Sequence, residues 1–189
     1  MTVFIYITFL LLEFSPVCPQ DMVLTHGVCM DRFEAPNVEG LNPMVMQSAM
    51  DGKKWCEARE KRLCTEDEWD AACEPTQGPC LNIRRWLEWK EEAFFPSASK
   101  DATKREVRRI WQGQPSGSWP QCKNPDGVYD LLGSVEEWVV SRDGRDHPYT
   151  LKGGFWAKKT SCGQSNDAHH PSFRFYETGF RCCKSLSSQ

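Results

Sequence analysis

The chain has 189 residues, a formal net charge of −3 at pH 7 and ten cysteines. Its length suits one compact domain with a single core. The small negative charge argues against a nucleic-acid binder. Because cytosolic thiols are kept reduced, an even and dense set of cysteines behind an exit signal is typical of a disulfide framework. The alternative, metal binding, is disfavoured because the sequence contains no Cys-x-x-Cys pair.

An apolar leader opens the sequence. Residues 3–12 are apolar or weakly polar, which is long enough for a signal-peptide core and too short for a bilayer span. We therefore expect a leader at 1–17, a domain at 18–189 and no stable membrane span. The expected location is outside the cytosol: secreted, periplasmic or at the cell surface.

The first elements after the leader are short. Residues 22–24 and 28–30 are candidate strands joined by Thr25-His26-Gly27, a pattern that predicts a hairpin. Ser48 with Asp51 begins a helical stretch, and Thr65 with Glu68 forms a capping box before a second one. The sequence therefore predicts two short helices.

The middle segment, 74–126, carries the weakest signals. Apolar residues between 83 and 89 lie close to helical spacing and are expected to pack against the domain. The basic residues between 100 and 109 alternate with acidic ones, which is more typical of a solvated face than of a partner-binding patch. From 127 onward, short strands are predicted at 128–129, 138–140, 151–156 and 179–182.

Three motifs, in order, carry a family resemblance. Residues 62–69 read Arg-Leu-Cys-Thr-Glu-Asp-Glu-Trp, residues 133–138 read Gly-Ser-Val-Glu-Glu-Trp, and residues 179–182 read Gly-Phe-Arg-Cys. Together they resemble the sulfatase-modifying-factor domain, the fold of formylglycine-generating enzymes, over most of 21–183 apart from the middle segment. The resemblance implies an α+β variant of the C-type-lectin fold, with two short helices, many short strands and long loops.

The same resemblance implies a copper site that this sequence lacks. The enzymes oxidise a substrate cysteine with copper held by two cysteines, and the matching positions here are Lys158 and Gly163. Because Cu(I) prefers thiolates, copper is not expected. Cys162 fits the family's structural cysteine, although an alignment that uses it as a copper ligand stays open. The iron site of some relatives is disfavoured, because the four histidines include no His-x-x-x-His face.

Calcium fits the sequence better. The resemblance implies a site made by the side chains of Asp130 and Glu137 and the backbone carbonyls of Gly133 and Val135. Oxygen ligands of mixed origin are what calcium prefers. The alternative is a solvated acidic turn in which Glu137 pairs with an arginine, and the sequence leaves both open. A second family calcium site is disfavoured, because Arg109 stands where its asparagine would lie.

Two function classes follow. The first is a non-catalytic binding module for a protein, peptide or glycan. Its cleft lies beside Gly153-Gly154, with Trp156 as an aromatic wall and Lys158 as an anion contact. The second is a formylglycine-generating oxidoreductase with a rearranged thiol site. The missing thiols favour the first class.

Five disulfides are expected. The resemblance implies Cys56–Cys182 and Cys73–Cys162, which tie the helices to the C-terminal strands. The remaining cysteines indicate Cys18–Cys29 across the hairpin, Cys64–Cys183, and Cys80–Cys122 closing the middle segment.

Overall fold

The computed structural model describes residues 18–74, 76, 113–155 and 160–186. These residues contain two helices and eight short strands, and the strands form two four-stranded sheets. In chain order the elements are β1 (Met22–Thr25), β2 (Val28–Asp31), α1 (Ala49–Glu57), β3 (Arg62–Leu63), α2 (Glu66–Cys73), β4 (Glu136–Val140), β5 (Tyr149–Lys152), β6 (Ser165–Asn166), β7 (Thr178–Phe180) and β8 (Cys182–Ser185). One sheet has the order β1-β2-β8-β3 and is antiparallel. The other has the order β6-β5-β4-β7, in which β4 and β7 are parallel. This is the predicted α+β arrangement.

The predicted N-terminal hairpin is confirmed. Strands β1 and β2 pair in an antiparallel register that ends at Thr25 opposite Val28. His26 and Gly27 make the turn at φ values of 44° and 81°. Two successive positive φ values are what a two-residue hairpin loop requires to match the strand twist.

Both predicted helices begin at their capping boxes. Ser48 accepts a hydrogen bond from the Asp51 N–H and Thr65 accepts one from the Glu68 N–H. In each box the acidic side chain also accepts from the N-cap backbone. Each helix then buries one side, α1 through Cys56 and α2 through Trp69. Local sequence therefore determines both helix starts, because each box satisfies backbone donors that the first turn leaves open.

Three strand predictions are wrong in detail. The strand predicted at 151–156 is β5, which begins at Tyr149 and ends at Lys152. Residues 128–129 form no strand beyond an isolated bridge to Lys123, because the Val128 N–H bonds to Asn124 and the Tyr129 N–H bonds to Arg32. The predicted strand at 179–182 is two strands in different sheets, with Arg181 between them. The chain thus passes from one sheet to the other at Arg181.

Disulfides join separate parts of the chain. The structure contains Cys18–Cys29, Cys56–Cys182, Cys64–Cys183 and Cys73–Cys162, which are four of the expected pairs. Cys122 is also disulfide-bonded, and its expected partner, Cys80, lies outside the described residues. The leader, the helical pattern at 83–89 and the basic stretch at 100–109 lie outside them as well. Within the described ranges, none of the helices has the length and apolar character to cross a membrane.

Candidate functional site

The acidic loop between Asp130 and Glu137 packs against the point where the chain changes sheets. Glu137 lies on β4 and is fully buried. Its Oε1 accepts a hydrogen bond from Arg181 Nη2 at 2.6 Å, and its Oε2 accepts from Arg181 Nε at 2.7 Å and from Trp69 Nε1 at 2.9 Å. The arginine pairing that the sequence left open is therefore present. It is buried, however, and not part of a solvated turn.

Arg181 is held by backbone as well as by Glu137. Its Nη2 donates to the carbonyl of Tyr129 at 2.9 Å, and its Nη1 donates to the carbonyl of Asp31 at 3.3 Å. The guanidinium is fully buried. A buried arginine needs this many acceptors, because each unsatisfied N–H would lose its hydration without replacement.

Two more carboxyl groups lie beside this pair. Glu34 is fully buried, and its Oε2 accepts from Ser116 Oγ at 3.2 Å. Among the described atoms, its Oε1 has no hydrogen-bond partner. Ser134 lies near Glu34 and acts to lower its pKa, but its Oγ makes no hydrogen bond to a described atom. Burial, followed by the charge of Asp130, raises the pKa of Glu34 well above its usual range.

Asp130 is the fourth charged group of this cluster. Its Oδ2 accepts a hydrogen bond from the Gly117 N–H at 2.7 Å, and its backbone has a φ of 60°. Burial raises the pKa of Asp130 to about 6, although the Gly117 N–H and the charge of Arg181 act in the opposite direction. We name Glu34, Asp130, Glu137 and Arg181 the acidic cluster. It holds three carboxyl groups and one guanidinium.

The other two predicted calcium ligands belong to the same loop. Gly133 has a φ of 84° and donates its N–H to the carbonyl of Gly153, and Val135 packs against Gly179. Gly133 thus contacts the residue that follows β5, and Val135 contacts β7; both strands belong to the second sheet. Within the described ranges, no three His, Cys, Asp or Glu side chains are placed to hold a metal ion. The predicted site differs from such a group because it uses two carboxylates and two carbonyls.

A cleft opens beside the end of β5. Its volume is about 290 Å³, and its lining residues are Glu136, Leu151, Gly153, Gly154, Thr160, Gln164, Ser165 and Asn166. Gly153 has a φ of 86°, and a Cβ there would lie 2.6 Å from the carbonyl oxygen of Leu131. Only glycine fits this contact between β5 and the acidic loop. Trp156 and Lys158, which the sequence placed in the cleft, lie outside the described residues.

A buried ion-pair network lies behind one cleft wall. Lys152 is fully buried, with its Nζ 2.7 Å from Asp70 Oδ1 and 3.3 Å from Ser165 Oγ. Glu66 is fully buried as well and accepts hydrogen bonds from Ser165 and Arg145. Burial opposes ionisation of Glu66, but these donors outweigh it and lower its pKa to about 2. The network fixes β6, and with it the cleft wall, to α2.

The sequence predicted neither this ion-pair network nor the presence of Glu34 and Arg181 in the acidic cluster. Arg142 extends the network, because it contacts both Asp67 and Asp70 of α2. No local signal marks Lys152 as buried. It follows the apolar residue Leu151 in β5, and strand alternation alone would place its side chain on the opposite, solvent-facing side.

The thiol chemistry of the cleft is also defined by the structure. Cys162 is bonded to Cys73, and the described part of the chain contains no free cysteine. Gly163, one of the two positions matched to copper ligands, follows it in an exposed turn. Cys162 therefore occupies the structural role expected from the resemblance and not the role of a copper ligand.

Comparison with solved structures supports the fold. PvdO from Pseudomonas aeruginosa superposes with a TM-score of 0.56 at 18% identity, covering 84% of this chain and 80% of PvdO. CarF superposes with a TM-score of 0.53 at 16% identity, covering 78% of this chain and 69% of CarF.

Comparison of sequences identifies relatives and a family. Two proteins named inactive C-alpha-formylglycine-generating enzyme 2, from Bos taurus and Mus musculus, are each 28% identical over 74% and 76% of this chain. The chain spans about half the length of these curated relatives, 49% in both cases. The family described as the sulfatase-modifying factor enzyme 1-like domain matches residues 12–186. By this match over most of its length, the chain belongs to the sulfatase-modifying factor enzyme 1-like domain family.

Proposed function

We propose that this chain is an exported, non-catalytic member of its family that binds a protein, peptide or glycan through the cleft beside Gly153-Gly154. The observation that carries the proposal is that the two positions matched by the resemblance to copper-binding thiols are Lys158 and Gly163. A lysine ammonium repels a metal ion, and a glycine offers no side-chain ligand. The disulfide between Cys73 and Cys162 occupies the remaining nearby thiol. The names of the inactive relatives point the same way.

Export is supported by the apolar leader and by the disulfides, which persist in oxidising compartments. Expression with the leader fused to a reporter enzyme tests this part directly. The reporter is expected outside the cytosol, and a reporter that stays in the cytosol contradicts export.

The lack of catalysis is tested on a peptide. The purified chain is incubated with Cu(I), oxygen and a cysteine-containing sulfatase peptide, and the peptide is weighed by mass spectrometry. We expect an unchanged peptide that keeps its thiol. Conversion of the thiol to an aldehyde, abolished in Cys162→Ser, contradicts the proposal and favours the oxidoreductase.

We also propose calcium as a structural ion of the acidic loop. The charge balance of the acidic cluster supports this proposal, because the cluster has two more carboxyl groups than guanidinium groups. Oxygen atoms are also the ligands that calcium prefers. Asp130, Glu137 and the carbonyls of Gly133 and Val135 would hold the ion. Millimolar calcium is then expected to raise the melting temperature of the wild type and not that of Asp130→Asn. An equal shift in both proteins, or in neither, contradicts the site.

A further inference from the structure

The cleft is lined mainly by groups that hydrogen-bond. Glu136, Thr160, Gln164, Ser165 and Asn166 supply a carboxylate, two hydroxyls and two amides, whereas the described lining has one large apolar side chain, Leu151. Ligand sites for apolar molecules have predominantly apolar walls. A volume of about 290 Å³ is also at the small end of ligand pockets. The cleft therefore suits a compact polar ligand.

A donor and an acceptor lie side by side in the cleft. Asn166 Nδ2 donates to both carboxylate oxygens of Glu136, at 3.2 Å to Oε2 and at 3.4 Å to Oε1. Because these two oxygens lie on the same side of the nitrogen, they share one N–H, and the amide keeps its second N–H. Gln164 accepts through its Oε1 from Thr160 and from the Ser161 N–H. Among the described residues, its Nε2 donates to none. Two adjacent hydroxyls of a ligand could accept from the amide N–H groups and donate to the carboxylate, because each hydroxyl can both donate and accept.

An aromatic strip leads away from the cleft. We give this name to Phe155, Tyr176, Phe175, Phe173 and His169, whose neighbouring ring centroids are 6.3, 4.4, 5.8 and 3.8 Å apart in that order. The strip begins directly after Gly154, a residue of the cleft. Burial, followed by the nearby carboxylates, raises the pKa of Tyr176, and Glu136 of the cleft is one of these carboxylates. Phe175 is 38% exposed.

We propose that the cleft binds a saccharide, with two adjacent hydroxyls of one sugar ring bonded to Glu136 and to the amides of Asn166 and Gln164, and a neighbouring ring packed on Phe175 of the aromatic strip. This inference rests on the proposed binding function and names its ligand class. An apolar peptide side chain is disfavoured because Leu151 alone offers it a large apolar contact in the described lining.

Titration with sugars tests the proposal. Glucose, galactose, mannose, N-acetylglucosamine and their oligomers are added to the purified full chain and followed by calorimetry. We expect a monosaccharide to bind with a dissociation constant of about 1 mM, because a shallow site offers it only a few hydrogen bonds. Gln164→Ala and Asn166→Ala are each expected to weaken it about tenfold. Phe175→Ala is expected to weaken only the oligomers.

Gln121→Ala is the matched control, because it removes an amide from an exposed position outside the cleft and is expected to change nothing. If Asn166→Ala lowers the melting temperature, Gln164→Ala decides, since among the described residues its side chain hydrogen-bonds only within its own loop. The proposal is overturned if no sugar binds, if binding survives both cleft variants, or if the cleft takes up a peptide in place of a sugar. The proposed lack of catalysis fails separately, by aldehyde formation on the sulfatase peptide.

Discussion

Replacing Asp130 by asparagine is expected to stabilise the calcium-free protein at neutral pH. The side chain is 5% exposed and shares the interior with Glu34 and Glu137. Because its folded-state pKa is about 6 against an ordinary value of 3.8, ionised Asp130 is less favourable in the folded protein than in the unfolded chain. At about 1.4 kcal/mol for each tenfold change in proton affinity, this amounts to roughly 3 kcal/mol at most.

The pH window follows from the direction of the shift. The penalty is absent below the unfolded pKa of 3.8, grows as the pH rises, and is complete above about 6. Asparagine removes the charge, tolerates the positive φ of this residue and still accepts from the Gly117 N–H. The expected gain is therefore about 1 to 3 kcal/mol near pH 7.5 and close to zero near pH 4.

Urea unfolding in EDTA at these two pH values measures the effect. Asp143→Asn, at an exposed position, is the control and should change stability little at either pH. A destabilised Asp130→Asn protein at neutral pH, or a gain of equal size at both pH values, refutes the reasoning. Added calcium should then stabilise the wild type and remove the variant's advantage, which separates the proton effect from the metal effect.

Two other substitutions probe the surroundings of the cleft. Gly153→Ala is expected to lower the free energy of unfolding by about 3 kcal/mol or more, because its Cβ would lie 2.6 Å from the Leu131 carbonyl oxygen. The control is Gly144→Ala, at a similar φ of 87° with nothing within 4 Å, which should lower it by only about 1 kcal/mol. Urea unfolding measures both. Equal losses would contradict the close contact. Glu66→Gln is expected to lose about 2 kcal/mol at neutral pH through its hydrogen bonds to Ser165 and Arg145. The difference in unfolding free energy between Glu66→Gln and the wild type should shrink as the pH falls from 4.5 toward 2. A stability difference that does not change with pH would contradict the lowered pKa of Glu66.

Local signals in the sequence predicted local structure well. The helix starts at Ser48 and Thr65 followed from side chains that cap their own backbone three residues away. The hairpin turn followed from His26-Gly27 in the same way. These predictions succeed because the interacting groups are a few residues apart, so the pattern contains both partners.

Predictions that depend on distant partners succeeded where the resemblance supplied the pair or, as for Cys64–Cys183, where it reduced the cysteines left to pair. Residues 128–129 have the composition of a strand, yet Tyr129 donates its N–H to Arg32, almost a hundred residues earlier in the chain. No local pattern could show that this donor was already committed. The pairing of Cys56 with Cys182 spans 126 residues and came from the family motifs, because spacing alone leaves many connectivities possible.

Arg181 shows why the acidic loop could not be interpreted from its own sequence. A carboxylate at position 137 is compatible with calcium, with solvent or with a guanidinium, and the choice depends on what the interior offers as a counter-charge. The chain passes from the second sheet to the first at Arg181. At this position the guanidinium lies between the two sheets and hydrogen-bonds to Glu137. One guanidinium cannot neutralise the two further carboxyl groups, Glu34 and Asp130. Protons or a cation must therefore do so, which is why pH and calcium are expected to act on the same loop.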